Sequence, residues 1–132
     1  MKNNKVIENL SNTYCRIALS KIHGVGVVAI RDIPKETDPF KGIRKEKWVK
    51  VNQNEFAEMN EEIRSMIKDF FWADEKGNYW IPEFGLNGIN ISYYMNDSKE
   101  PNVYSPQEGV FKTLRDIKKG EELTIDYSMY DE

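Results

Sequence analysis

Two tyrosines, Tyr93 and Tyr94, precede the polar run Asn96-Asp97-Ser98 and the pair Pro101-Asn102 in the stretch SYYMNDSKEPNV at 92–103. A second polar and aromatic group, Asp126-Tyr127, closes the segment GEELTIDY at 120–127. Around them the chain has one histidine, His23, and one cysteine, Cys15. A nucleophile–histidine–carboxylate triad has no Gly-x-Ser-x-Gly elbow to carry it. His23 has no second histidine with which to share a metal, and Cys15 alone forms neither a disulfide nor a thiolate zinc cluster, so no metal is expected. Chemistry here falls to tyrosines and asparagines, which hydrogen-bond and orient. The turn His23-Gly24-Val25-Gly26 is the other candidate, a tight bend in the backbone between two β-prone runs.

The elements that must position these residues follow from the rest of the chain. Its 132 residues, 39% hydrophobic and 12% aromatic, suffice for one domain with a single core and are too few for two. The 19 basic and 22 acidic residues nearly cancel, so no overall positive field draws the protein onto nucleic acid, and no direct nucleic-acid binding is expected. No apolar run reaches the roughly 18 residues of a membrane span, and the start MKNNKVIENLSNTY lacks the apolar core of a signal peptide. The expected location is intracellular, cytoplasmic or nuclear, with no membrane partner.

Short β-prone runs, YCRIAL at 14–19 and VGVVAI at 25–30, flank SKIHG and predict a strand, a turn and a strand. Pro34 and Pro39 exclude a helix across RDIPKETDPF, and WVKV at 48–51 is another short β-prone segment. From Asn52 to about Phe71, Phe56, Met59, Ile63, Met66, Ile67 and Phe70 recur at helical spacing, and Asn52 with Glu55 resembles a capping box. This predicts one helical insertion at about 52–72, with Phe70, Phe71 and Trp72 at its buried end. ADEKGNYWIP turns through Gly77 into a strand that Pro82 ends, and short strands separated by Gly, Pro and Asn follow. The fold class is mainly β with one inserted helix, and residues 1–13 form an N-terminal extension to a single domain at 14–132. AIRDIPKET at 29–37 and TLRDIKKGEE at 113–122 also echo one another. They read as two similar polar turns through which strands leave the core, without a function of their own.

HGVGVVAIRDI at 23–33, NISYYMNDSKEPNV at 90–103 and GEELTIDY at 120–127, in that order and spacing, resemble the SET domain, the fold of many protein-lysine methyltransferases. The resemblance covers about 14–127 and is most specific in GEELTIDY. YMNDSKEPN matches the family's Asn-His-Ser-Cys-x-Pro-Asn pattern at Asn96, Ser98, Pro101 and Asn102. Asp97 stands where the family usually has histidine, Lys99 where many members have a zinc-site cysteine, and Tyr93 where many carry arginine.

The resemblance implies a β-clip fold of several small sheets with a threaded C-terminal segment. It implies S-adenosylmethionine as methyl donor, held by the backbone of His23, Gly24, Val25 and Gly26 and by Tyr94, Asn96, Asp97 and Tyr127. Tyr127 is the implied catalytic residue, and Tyr94, Tyr127 and Tyr130 are the implied lining of a substrate channel. Transfer of a methyl group from a sulfonium to an amine is an in-line displacement that needs alignment and a neutral amine, so the scarcity of His and Cys fits it. A lysine has a pKa of about 10.4 in water, and a dry aromatic channel favours its neutral form because desolvation penalises the ammonium. The implied partner is a lysine of a protein or peptide, a histone or another protein. Only SMYDE follows Tyr127, so the channel wall is expected to be completed by Tyr130 with the helical insertion or by a second copy of the chain in a homodimer. The alternative reading is a non-catalytic module that keeps the fold and binds a peptide or protein partner.

Overall fold

The computed structural model describes residues 4–43, 46–107 and 109–130, and the side chains of Met129 and Tyr130, with the channel role expected of Tyr130, lie outside the described residues. Main-chain contacts divide the chain into two units, Met1–Arg44 with Asn90–Tyr127, and Lys45–Ile89 with Ser128–Glu132.

In the first unit the β-branched runs on either side of Gly24 form an antiparallel hairpin, β1 (Cys15–Leu19) and β2 (Val25–Ala29), with Cys15 opposite Ala29 and Leu19 opposite Val25. Gly24 supplies the left-handed conformation of the bend, φ +50°. The last strand of the chain, β8 (Glu122–Ile125), runs antiparallel to β2 and parallel to the two-residue β5 (Asn96–Asp97), so the sheet order is β1-β2-β8-β5. The C-terminal strand is therefore threaded between segments made earlier in the chain. β6 (Val103–Gln107) and β7 (Val110–Thr113) form a separate antiparallel ribbon. Val27, Ile33, Val103, Ile117 and Leu123 are the fully buried centre of the core.

The two echoing segments clasp each other. Ile33 N donates to Ile117 O (2.7 Å) and Ile117 N to Ile33 O (2.8 Å). Asp116 Oδ1 accepts from Lys35 N (2.8 Å), and Asp32 Oδ1 from Lys119 N (2.9 Å). Each Arg-Asp-Ile thus gives one buried isoleucine and one carboxylate cap to the other's turn. Two similar sequences are needed because each half satisfies the backbone of its counterpart, and unpaired backbone groups beside a core are costly.

Two helices differ from expectation. The N-terminal extension carries α1 (Asn4–Ser11), whose Val6, Ile7 and Leu10 remain exposed. In the second unit, β3 (Trp48–Asn52) pairs antiparallel with β4 (Asn78–Pro82), and the segment between them is not one helix from Asn52 to Phe71. The capping box is present, with Asn52 Oδ1 accepting from Asn54 N (3.0 Å) and Glu55 Oε2 from Asn52 N (2.7 Å), but it opens a single 3-10 turn, Gln53–Phe56. Asn60 then adopts an extended ψ of 138° and caps α2 (Glu61–Phe70) by accepting from Glu62 N at 2.7 Å. A short amide side chain that competes for backbone donors interrupts a helix and starts a new one, while the apolar period runs on across the break. Phe56, Ile67, Phe71 and Tyr79 are buried in this unit, whereas Met59, Met66 and Trp72 are exposed, so the expected buried helix end holds for Phe71 and not for Trp72. No helix among the described residues is long and apolar enough to cross a membrane.

If the clasp holds the first unit together, Ile117→Ala should destabilise the protein by about 2–5 kcal/mol, the usual cost of emptying a closely packed site. Ile63→Ala on the outer side of α2 should cost less than about 1 kcal/mol. Urea unfolding of both variants measures the difference, and equal losses would contradict it.

Candidate active site

The loop between β1 and β2 is tied down by its first residue. Ser20 Oγ accepts from Ile22 N (2.9 Å) and His23 N (3.1 Å) and donates to Glu122 Oε1 of β8 (2.7 Å). Ser20 N donates to Gly24 O at 2.8 Å, which closes the bend. Across from the loop, the side-chain amide of Asn96 in β5 reaches four acceptors: Ser20 Oγ (3.0 Å), His23 O (3.1 Å), Val25 O (3.1 Å) and Glu122 Oε2 (2.8 Å). Two amide hydrogens divided among four acceptors leave acceptor capacity unused. A Cβ at Gly26 would lie 2.4 Å from Glu122 Oε2 and 3.1 Å from Asn96 Nδ2, so a side chain there would push both away from the loop. At Gly24 the corresponding position is open space.

The result is a concentration of oxygens: a hydroxyl, two backbone carbonyls and a carboxylate, with Asn96 Oδ1 taking no hydrogen bond among the described residues. Such a set attracts a cationic donor, an ammonium above all. The structure brings the 23–26 loop and Asn96, both named from the sequence, together with Ser20 and Glu122, which were not named. A serine just before a glycine bend was the available signal for the first, since its hydroxyl bonds the backbone two and three residues on. Glu122 lies inside the quoted GEELTIDY segment, yet nothing local shows that its side chain faces the loop.

Tyr127 is gripped at both ends by residues flanking Asn96. Its hydroxyl donates to the Met95 carbonyl, and its backbone N–H donates to Asp97 Oδ1 (2.8 Å). Burial of the hydroxyl, and secondarily the Asp97 charge, push the phenol above its ordinary pKa. The residue as a whole is nevertheless 42% exposed, while its hydroxyl lies against buried Met95. Next to it, Lys99 Nζ pairs with Asp126 Oδ1 at 3.3 Å. Tyr94 ends the 3-10 turn Ile91–Tyr94, which Asn90 caps by accepting from Ser92 N (2.9 Å), and packs half-buried against the core. One carboxylate oxygen of Asp97 is engaged with the Tyr127 backbone.

Cys15 is buried, and its thiol is pushed up to about 12 by desolvation, so it stays protonated at neutral pH and is no nucleophile. It lines a cavity of about 240 Å³ with Asn9, Tyr14, Phe40, Ile43 and Ile91, which includes none of the residues above. Among the described residues no group of three or more His, Cys, Asp or Glu side chains could hold a metal ion.

The comparisons with known proteins agree with the arrangement. No curated protein matches the sequence. Among solved structures, a Plasmodium falciparum protein described as a candidate histone methyltransferase is 19% identical, covers 87% of this chain with 93% of its own, and superposes with a TM-score of 0.54, which shows a shared fold. The family model for the SET domain matches residues 24–128, a span that takes in the loop glycines, the Asn96 segment and Tyr127. The chain belongs to the SET domain family.

Proposed function

We propose that this protein transfers a methyl group from S-adenosylmethionine to the ε-amine of a lysine on a protein or peptide, a histone being one such acceptor. The observation that carries the reading is that three consecutive residues, Met95, Asn96 and Asp97, bind the tyrosine hydroxyl, the glycine loop and the tyrosine backbone. One short segment therefore joins a site for a cationic amino-acid end to a placed phenol.

The residues present fit the cofactor. Its α-ammonium is a three-proton donor, and the unused lone pairs of the His23 and Val25 carbonyls with Asn96 Oδ1 are the acceptors such a group needs. The open position at Gly24 lets a ligand approach the backbone, and Asn96 holds the two sides of that cradle together. S-adenosylmethionine, when bound, supplies a methyl carbon made electrophilic by its sulfonium.

The chain's own groups do the rest. The Met95 carbonyl and the phenol oxygen of Tyr127 lie together, and both keep lone pairs that can accept from polarised C–H groups or from the attacking amine. Tyr127 is a neutral phenol at neutral pH, as tyrosines ordinarily are, and burial, with the Asp97 charge second, raises its pKa further. It can therefore donate and accept, which a phenolate could not. The incoming lysine must be neutral to attack, and contact with the Tyr127 ring favours that form by desolvation.

Calorimetric titration with S-adenosylmethionine is the deciding experiment, since a folded protein that does not bind it is no methyltransferase. Asn96→Ala should weaken that binding by about 1–3 kcal/mol, because several acceptors lose their shared donor. Tyr127→Phe should lower the single-turnover rate by roughly 10²–10³ with little change in cofactor affinity, the scale of a positioned polar group in a transition state. A Tyr127→Phe protein as fast as the parent would remove the hydroxyl from the mechanism.

A further inference from the structure

Two of the positions at which the chain departs from the SET pattern, Asp97 and Lys99, bond to consecutive residues of the closing motif. Asp97 Oδ1 accepts the Tyr127 N–H at 2.8 Å, and Lys99 Nζ pairs with Asp126 Oδ1 at 3.3 Å. The parallel pairing of β5 with β8 ends at Asp97 opposite Ile125, so Tyr127 lies beyond the reach of the sheet. It also opens the 3-10 turn Tyr127–Tyr130, whose first N–H groups have no acceptor inside the turn. A carboxylate at the start of a turn satisfies such a donor and suits its dipole. Histidine, the family's usual residue at this position, has no charged oxygen to offer there.

We infer that Asp97 is a positioning residue of the methyl transfer: its carboxylate fixes the backbone of Tyr127 and thereby the place of the phenol against the Met95 carbonyl. The inference rests on the function proposed above. Tyr127 is held at two points, and the hydroxyl contact alone leaves the ring free to pivot about it. With the backbone anchored as well, the side chain has one end fixed by β5 and the other by Met95, which is the condition for a placed catalytic group. The charge acting on the Tyr127 phenol comes from Asp97 of β5, while the carboxylate of its chain neighbour Asp126 pairs with Lys99. Asp97 opposes ionisation of the phenol, so removal of its charge moves phenolate formation to lower pH. Asp97 is exposed, so its replacement leaves no cavity and an isosteric variant should fold.

The test uses the full chain with Asp97→Ala, which removes the acceptor, and Asp97→Asn, whose amide oxygen can still accept the N–H but carries no charge. Three quantities are read: S-adenosylmethionine affinity by calorimetry, single-turnover rate at saturating cofactor with core histones as the acceptor probe, and hydrogen exchange of the Tyr127 amide. Asp97→Ala should slow transfer roughly ten- to a hundredfold, the cost of a modestly misplaced group, with cofactor affinity nearly unchanged and faster exchange at Tyr127. Asp97→Asn should recover most of the rate and the protection. Ultraviolet titration, taken as the difference from the matching Tyr127→Phe background, should show phenolate at lower pH in both variants. An Asp97→Ala protein with the parent's rate and the parent's exchange overturns the inference. So does one that loses cofactor binding in step with rate, because Asp97 would then be a cofactor ligand. A parent that neither binds the cofactor nor methylates defeats the proposed function instead, and exchange at Tyr127 still decides whether Asp97 holds it.

Discussion

Everything at the site depends on β8 being held between β2 and β5, and the buried amide of Asn102 is what holds it. β5 is only two residues long, and a parallel pair of that length supplies too few hydrogen bonds to fix its own register. Asn102 adds the missing ones: its Nδ2 donates to Glu122 O (2.9 Å), and its Oδ1 accepts from Thr124 N (2.8 Å). An amide side chain thereby imitates a strand neighbour for two residues of β8. A slip of one residue would turn Leu123 and Ile125 out of the core, take Glu122 from Asn96, and move Tyr127 away from both of its contacts. The register is thus over-determined by apolar burial and by a buried polar group that is fully paired only in one alignment.

The clasp of the two Arg-Asp-Ile turns secures the same strand from the other side. Glu121 O accepts from Ala29 N, and Gly120 N donates to Ala29 O, so the chain enters β8 already paired with the end of β2. Thr113, fully buried, links the two turns by donating from Oγ1 to Pro34 O (2.7 Å) and accepting there from Thr37 N (3.0 Å). Buried polar groups in this unit are few and sit where segments distant in sequence meet. Among the described residues no buried side-chain nitrogen or oxygen is left without a hydrogen-bond partner. The fold uses small sheets, so directed hydrogen bonds supply alignment that a broad sheet would obtain from long ladders.

The strands were legible because β-branched runs abut glycine and proline turns, a signal that is local. The 52–72 helix was misread for an equally local reason. The apolar period continues through Asn60, and the period alone does not show that the asparagine caps a second helix instead of riding on the first. α1 gave no signal of a packed element because its apolar stripe is not buried against anything described. At the candidate site, the motif blocks named the 23–26 backbone, Asn96 and Tyr127, which the structure brings together around β5. The bonds that join them link residues far apart, such as Ser20 with Glu122 and Asn96 with Val25, and no spacing rule reaches that distance. Asp97 was legible only as a departure. Its meaning lies in Tyr127, thirty positions on, and needed the parallel pairing of β5 with β8 to appear.

That departure also bears on how charge is placed around a reaction between a cationic donor and an amine. For the methyl transfer proposed above, carboxylates near the site would draw in a lysine ammonium and a sulfonium, yet the same negative charge would raise the pKa of the lysine and oppose the neutral form that must attack. The arrangement limits the conflict in two ways. Asp126 is paired with Lys99, which cancels its charge locally, and Asp97 is set at the backbone end of Tyr127 while the hydroxyl lies at the Met95 carbonyl. Separation by the length of the tyrosine weakens the carboxylate's pull on an amine near the hydroxyl, because the interaction falls with distance. What reaches the hydroxyl end is enough to reinforce burial in keeping the phenol protonated. A carboxylate here therefore anchors the tyrosine and adds to the burial that raises its pKa, and it does so from the end of the side chain where its charge least hinders the amine.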